Sequence, residues 1–399
     1  MLGAIMYKIL SLDGGGTWAL IQVKALLAIF GDISGHAVLS KFDMAVANSG
    51  GSIVLGGLIE DKQLSAILND FMDEGFRQSI FQTTTNPIDR GLEFLLHFGP
   101  RFSTEKKLPA LAALLPVSGG KTLPEAAADI PAANSGKPVH LLIPGFDYDR
   151  NIAAFFRSAA VGNDDWGTGQ ASDDITLAQA IHASSDPPVQ FFDEPASWDG
   201  NSSRFWDGAI AGCNNPVLAG VAEAITIPID PSQIRALAIG TGTIRYRGPP
   251  QDNPPPLVTA RTAQDFPNDL KKLAGSITDD PPDIASFLAH VMTGGPAGLP
   301  AGAVSRVVRM NPMVSPVPDG NGGWKPPANW SVQQLNYLAN LDLVALAPDD
   351  VAYIADYGDL WLSNDAPNQP IRMDADTLVS KLGPTTFQAA LAAWKQITE

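Results

Sequence analysis

Short apolar runs recur at residues 7–12, 42–47, 139–143, 203–206 and 235–239, and their length and composition predict strands. Longer stretches rich in Ala and Leu lie between several of them and predict helices over 19–30, 51–74, 177–183 and 216–224. The last opens on Pro216, which a first helical turn tolerates because its missing N–H would have no partner there. Strands and helices in alternation imply a three-layer α/β/α fold around a mostly parallel sheet. In such sheets ligands gather where strands end and helices begin, so the residues just after each strand carry the most interest. Two stretches, 247–256 and 312–327, are rich in Pro, Gly and Asn and predict surface excursions or a lid.

Composition narrows the picture without changing it. A chain of 399 residues with 45% hydrophobic and 17% charged side chains has material for a substantial core, and one domain over 1–399 is the expectation. Its 26 Lys and Arg against 42 Asp and Glu give a net charge of −16. That field repels phosphate backbones, so nucleic acid is excluded as a partner class, and any transient membrane contact has to be apolar. Cys213 stands alone, which rules out an internal disulfide or a cysteine metal cluster and suits the cytoplasm; secretion without a cleavable signal stays open. Gly294, Gly295, Pro296 and Pro300 interrupt the uncharged run 284–305, so it predicts a buried or interfacial helix plus loop rather than a membrane span.

Three strand ends carry candidate chemistry. Asp13-Gly14-Gly15-Gly16-Thr17-Trp18 follows the first strand, and three successive glycines let a tight turn present main-chain N–H groups to an anion. That anion is the oxygen of a tetrahedral intermediate in an acyl hydrolase and a nucleotide phosphate in a kinase. Phe42 to Ala47 runs through Asn48 into Ser49, Gly50, Gly51 and Ser52, the shape of a nucleophile elbow with small residues two before and two after the serine. Ala47 stands where G-x-S-x-G has glycine, and its methyl has to fit in that place. Phe205-Trp206-Asp207-Gly208-Ala209 then puts an aspartate at a strand end, ahead of Asn215-Pro216.

Together these three segments, in content, order and approximate spacing, resemble the patatin-like phospholipases. Ala183-Ser184-Ser185 with Pro188 and Phe191-Phe192, and Leu237-Ala238-Ile239-Gly240-Thr241-Gly242, extend the resemblance over about 8–243, with Arg309-Met310-Asn311-Pro312 a weaker continuation. A possible lid or insertion over 247–304 and a C-terminal extension over 305–399 packed on the core are expected beyond it. The resemblance implies a serine acyl hydrolase with no metal and no organic cofactor, acting on a lipid or other acyl ester. It implies Ser49 as nucleophile, Asp207 as its catalytic partner, and Gly14, Gly15, Gly16 and Gly50 as oxyanion donors. A solvated aspartate is a weak base, so Asp207 has to be buried to serve. Many members of that family carry arginine two residues beyond the third glycine. Here that place is Trp18, which offers no charge to a phosphate, so a neutral ester, glyceride or lysolipid fits at least as well as a phospholipid.

Other readings compete. A Ser-His-Asp triad in the usual order leaves only His290, which sits in an apolar segment. Actin-like ATPases and sugar kinases also use an Asp-Gly-Gly-Gly-Thr loop, but there a β-return follows, whereas residues 18–28 favour helix and Ser49 goes unexplained. A non-catalytic lipid-binding protein on the same scaffold is the third alternative.

Overall fold

In chain order the strands used below are β1 (Tyr7–Leu12), β2 (Met44–Ala47), β3 (His140–Asp147), β4 (Ile152–Arg157), β5 (Phe205–Asp207), β6 (Ile234–Ile239), β7 (Thr243–Ile244), β8 (Val307–Met310) and β9 (Met313–Val314). The helices used below are α1 (Leu20–Phe30), α2 (Gly35–Leu39), α3 (Gly50–Ile59), α4 (Leu64–Met72), α5 (Glu74–Ile80), α6 (Thr104–Leu114), α7 (Leu123–Asp129), α8 (Leu177–Ser184), α9 (Val217–Thr226), α10 (Pro281–Met292), α11 (Val332–Ala339), α12 (Pro348–Leu362) and α13 (Phe387–Thr398). The computed structural model describes residues 6–85, 99–133, 135–160, 172–189, 191–198, 203–245, 281–300, 303–321, 323–374 and 379–399.

Among the described residues the main sheet runs β4-β3-β2-β1-β6-β8, with β5 added to β3. Strands β3, β2, β1, β6 and β8 are parallel neighbours, and β4 and β5 join β3 antiparallel. Every residue of β2 is buried, which is why such a strand reads as an unbroken apolar run rather than as alternation. Successive side chains still face opposite ways. Leu10, Leu12, Ala45, Ala47, Leu237 and Ile239 enter the larger core with α1, α3 and α12, while Ile9, Met44, Val46, Ala236 and Ala238 pack with α9 and α10. Helices therefore cover both faces of a mostly parallel sheet, as the alternating pattern implies.

Three expectations are corrected. The single helix over 51–74 is two, α3 and α4, because Asp61 takes a left-handed conformation (φ 59) and the turn is captured from outside. Its carboxylate accepts the His36 N–H at 2.9 Å and the Lys62 carbonyl accepts the Gly35 N–H at 2.8 Å. The start of 312–327 is core rather than surface: Pro312 to Pro316 are buried, β9 pairs with β7, and the Met313 carbonyl accepts from the Tyr357 hydroxyl at 2.7 Å. Strand β3 continues through Pro144 and Gly145 to Asp147, past where the apolar run ends, because β4 and β5 pair with its far half. The excursion over 247–256, with most of the expected lid, lies outside the described residues. Within them, no helix is long and apolar enough to cross a membrane.

The C-terminal residues close over the first strand-to-helix turn. Buried Tyr357 and Trp361 of α12 join the core beside α1, Lys24 pairs with Asp359 at 2.8 Å, and both the N–H and the hydroxyl of Thr17 donate to the Leu343 carbonyl at 3.0 Å. At the opposite end of the sheet a buried ion cluster ties β3, β4 and α9. Arg157 donates to Glu223 at 2.7 and 3.1 Å, and His140 Nε2 lies 3.0 Å from the same carboxylate.

Burial by itself would raise Glu223, but its hydrogen bonds to His140 and Arg157 and their charges outweigh that and hold it below 4.5. A depressed carboxylate contributes stability that is complete above its unfolded value and lost as pH falls through the folded one. Glu223→Gln is expected to lower unfolding free energy by about 3 kcal/mol at neutral pH, because it leaves Arg157 buried without its counter-charge. In urea titrations the gap between wild type and variant should narrow as pH drops below 4.5; a gap independent of pH contradicts the linkage.

Candidate active site

Ser49 joins β2 to α3 with φ 51 and ψ −124, a conformation costly for any residue with a β-carbon. It persists because both of its main-chain groups are held. Its N–H donates to the Ser184 carbonyl at 3.1 Å and hydroxyl at 3.2 Å, and its carbonyl accepts from the Ser52 N–H at 2.9 Å and hydroxyl at 2.6 Å. Close packing explains the small residues around it: a β-carbon on Gly51 would lie 2.5 Å from the Leu12 carbonyl oxygen, and one on Gly50 2.4 Å from that of Gly16. The methyl of Ala47, the departure from the usual elbow pattern, is accommodated in the core.

Asp207 ends β5 and is fully enclosed, at 2% exposure. Its carboxylate accepts the Asn48 side-chain amide at 3.0 Å and the Ala209 N–H at 2.8 Å, and it lines one cavity with Ser49. Gly208 is required beside it, since a β-carbon there would stand 2.3 Å from Asn48 Oδ1 and 2.7 Å from the Pro144 carbonyl oxygen. Burial raises Asp207 above the ordinary carboxylate value, opposed by the Ala209 and Asn48 hydrogen bonds, by the Ser49 side chain nearby and by the Lys107 charge. The half-buried Cys213 thiol is pushed up to about 12, by desolvation first and then by the Asp207 charge.

The glycine turn lies against Ser49, where a β-carbon on Gly14 would be 3.0 Å from Ser49 Cβ. Gly14 itself is committed: its N–H donates to the Asn214 carbonyl at 2.8 Å and its carbonyl accepts the Thr241 hydroxyl at 2.8 Å. Among the described residues the N–H groups of Gly15, Gly16 and Gly50 have no protein acceptor, and all three residues line the cavity that contains Ser49 and Asp207. Behind the turn Arg309 of β8 reaches Asp13 at 2.5 Å, with both side chains buried. Gln22 holds the Asp13 carbonyl at 2.8 Å.

The cavity measures about 200 Å³, and Trp18, Ile53, Phe81, Phe191, Leu341 and Val344 supply much of its apolar wall. Trp18 is fixed by its indole N–H, which donates to the Asp342 carbonyl at 3.0 Å. His290 does not line it; its Nδ1 lies 2.9 Å from the Ser305 hydroxyl on the α10 side, and burial lowers its proton affinity. His182 lies 3.4 Å from Asp186 and also stays out of the cavity lining. The structure thus brings Ser49, Asp207 and the glycine turn together. It adds roles for Asn48, Ser184, Asn214, Thr241 and Arg309; all but Asn214 lie in segments that carry the resemblance, but the sequence assigns none of them a task. Arg309 also carries a local signal, as a charge inside the apolar strand Val307-Val308-Arg309-Met310.

With sheet, elbow, buried aspartate and glycine turn in place, comparison with known proteins settles the class. A family model described as patatin-like phospholipase matches residues 10–221, more than half of the chain, and the match includes Gly14, Gly15, Gly16, Ser49 and Asp207. The chain belongs to the patatin-like phospholipase family, whose members are lipid hydrolases. Among solved structures it is similar to VipD from Legionella pneumophila at 10% identity and a TM-score of 0.32, over 89% of this chain and 67% of that one. It is also similar to a chain from the complex of full-length SpcU with full-length ExoU, from the type III secretion system of Pseudomonas aeruginosa. That likeness has 15% identity and a TM-score of 0.25, over 44% of this chain and 37% of that one. No curated protein matches the chain.

Arg309→Met removes the counter-charge of buried Asp13 and is expected to cost about 3 kcal/mol in denaturant unfolding. Adding Asp13→Asn removes the unbalanced charge and should recover much of that loss. Equal destabilisation in the single and double variants would mean that packing, not the ion pair, holds the turn.

Proposed function

We propose that the protein hydrolyses carboxylic esters of lipids through an acyl-enzyme on Ser49, with Asp207 as the only general base. The observation that carries this reading is that the strained Ser49, the buried Asp207 carboxylate and the glycine turn line one cavity. Asp207 takes the hydroxyl proton as the Ser49 oxygen attacks the ester carbonyl. The N–H groups of Gly15, Gly16 and Gly50 receive the oxygen that becomes negative in the tetrahedral intermediate. Protonated Asp207 then passes its proton to the departing alcohol, and a water deprotonated by the same carboxylate releases the acid from Ser49. Asn48 and Ala209 keep the carboxylate aimed through the cycle.

The cavity walls favour an acyl chain, and Arg309 spends its charge on Asp13. A neutral ester is therefore the favoured substrate, approached at a lipid surface through transient apolar contact rather than through charge, given the net charge of −16. The lone Cys213 fits a reducing compartment such as the cytoplasm.

Turnover across nitrophenyl esters, glycerides and phospholipids tests the reading. Ser49→Ala and Asp207→Asn are each expected to lose at least about a thousandfold in kcat with folding intact, since the members of such a unit are not additive. The base works only when deprotonated, so kcat/KM should fall as pH drops through the folded pKa of Asp207, with a midpoint above the ordinary 3.8. Near-normal turnover by Asp207→Asn, or a midpoint at or below 3.8, contradicts the assignment.

A further inference from the structure

Beside the dyad, outside the cavity lining, lies a buried charged cluster that no step above uses. Lys107 of α6 and Asp186, just after α8, are both at 0% exposure, with Lys107 Nζ 2.6 Å from Asp186 Oδ1. The ammonium also donates to the Ser185 carbonyl and sits over the Phe192 ring, 4.2 Å from its centroid. His182 Nδ1 lies 3.4 Å from the same Asp186 oxygen. The cluster is one peptide from the base, because the Asp186 carbonyl accepts the Asp207 N–H at 3.0 Å.

Stability does not explain such a pair. Taking a lysine and an aspartate wholly out of water costs several kcal/mol per ion, and well-packed apolar side chains at such a site are often as stable or more so. What only the charged form supplies is a positive potential in a low-dielectric interior next to Asp207.

We infer that Lys107 is a positioning residue for the hydrolysis: its buried ammonium, anchored by Asp186, keeps the neighbouring Asp207 carboxylate ionised and ready to take the Ser49 proton. The inference rests on Asp207 being the base. Burial pushes that carboxyl toward its protonated form, which cannot accept; the Ala209 and Asn48 hydrogen bonds oppose this and the Lys107 charge adds to them. Too strong a compensation would make it too weak a base, and the Asp186 carboxylate tempers the lysine accordingly. The other groups facing Asp207 are Ser49 and Asn48 from the β2–α3 elbow, the Ala209 N–H and the Cys213 thiol from the turn after β5. Facing Lys107 are Asp186 and His182 from α8 and its C-terminal loop, the Phe81 and Phe192 rings, and Asp207 itself. Arg309 stays paired with Asp13 behind the glycine turn. The electrostatics run both ways: burial pushes the Lys107 ammonium down from its ordinary value while Asp186 and Asp207 support it. Burial alone would raise Asp186, but His182 and Lys107 outweigh it.

The test is the acid limb of kcat/KM against pH on a soluble nitrophenyl ester, with melting temperature as a check on folding. Lys107→Met/Asp186→Asn removes the pair without stranding either charge. Its limb is expected to move about one pH unit upward, with little change in KM, while Lys107→Arg, which restores the charge, keeps the limb near the wild-type position. A folded double variant with an unmoved limb overturns the inference, as does a Lys107→Arg limb that moves as far as that of the double variant, which assigns the residue to packing. An Asp207→Asn enzyme that still turns over overturns the reading of the base and this inference with it. An inactive Asp207→Asn enzyme beside an unmoved limb overturns the role of Lys107 alone.

Discussion

The Ser49 main chain is held at φ 51 and ψ −124 beside the buried Asp207 carboxylate, and the sheet, the elbow and the glycine turn are arranged around that juxtaposition. A serine in this conformation stores strain that relaxes unless its neighbours prevent it. Ser184 and Ser52 take its N–H and carbonyl, and the carbonyls of Leu12 and Gly16 press so closely on Gly51 and Gly50 that side chains there are excluded. The same crowding puts the glycine turn against the serine. Strain at Ser49, missing side chains at Gly50 and Gly51, and N–H groups facing the cavity are thus consequences of one packing problem.

Charge is handled as economically as space. Burial removes Asp207 from water and raises its proton affinity. Asn48 and Ala209 oppose it through hydrogen bonds and Lys107 through its field. Arg309 serves the other half of the site by pairing with Asp13, so the turn that presents Gly15 and Gly16 is anchored from a strand on the opposite side of β6. The C-terminal residues complete that anchor, with Leu343 and Ala345 bonded to Thr17 and Asp342 to Trp18. Trp18, which carries no charge at this turn, is a wall of the cavity that contains Ser49.

Much of this was legible in the residues alone, for identifiable reasons. Strands β1, β2 and β6 are buried on both faces, so their apolar runs stand out within a residue or two of the observed ends. The elbow and the turn announce themselves because strain and close approach admit few residue types. The break at Asp61 was hidden because a left-handed aspartate is made tolerable by its bond to His36, a partner on another helix. Pro312 to Pro316 look like surface by composition and are buried because Tyr357 and β7 receive them. Lys107 and Asp186 lie 79 positions apart, and Arg309 and Asp13 296; no local pattern reports pairings of that range, and a lysine on an otherwise ordinary helix gives no sign that its head is buried.

The central claim is that Ser49 is a nucleophile made reactive by Asp207. Covalent labelling with a fluorophosphonate, read as the mass of the peptide containing Ser49, tests it without any choice of substrate. The account predicts one adduct per chain on Ser49, formed rapidly in the wild type and very slowly in Asp207→Asn. Labelling at another serine, or equal rates with and without the Asp207 carboxylate, would contradict it.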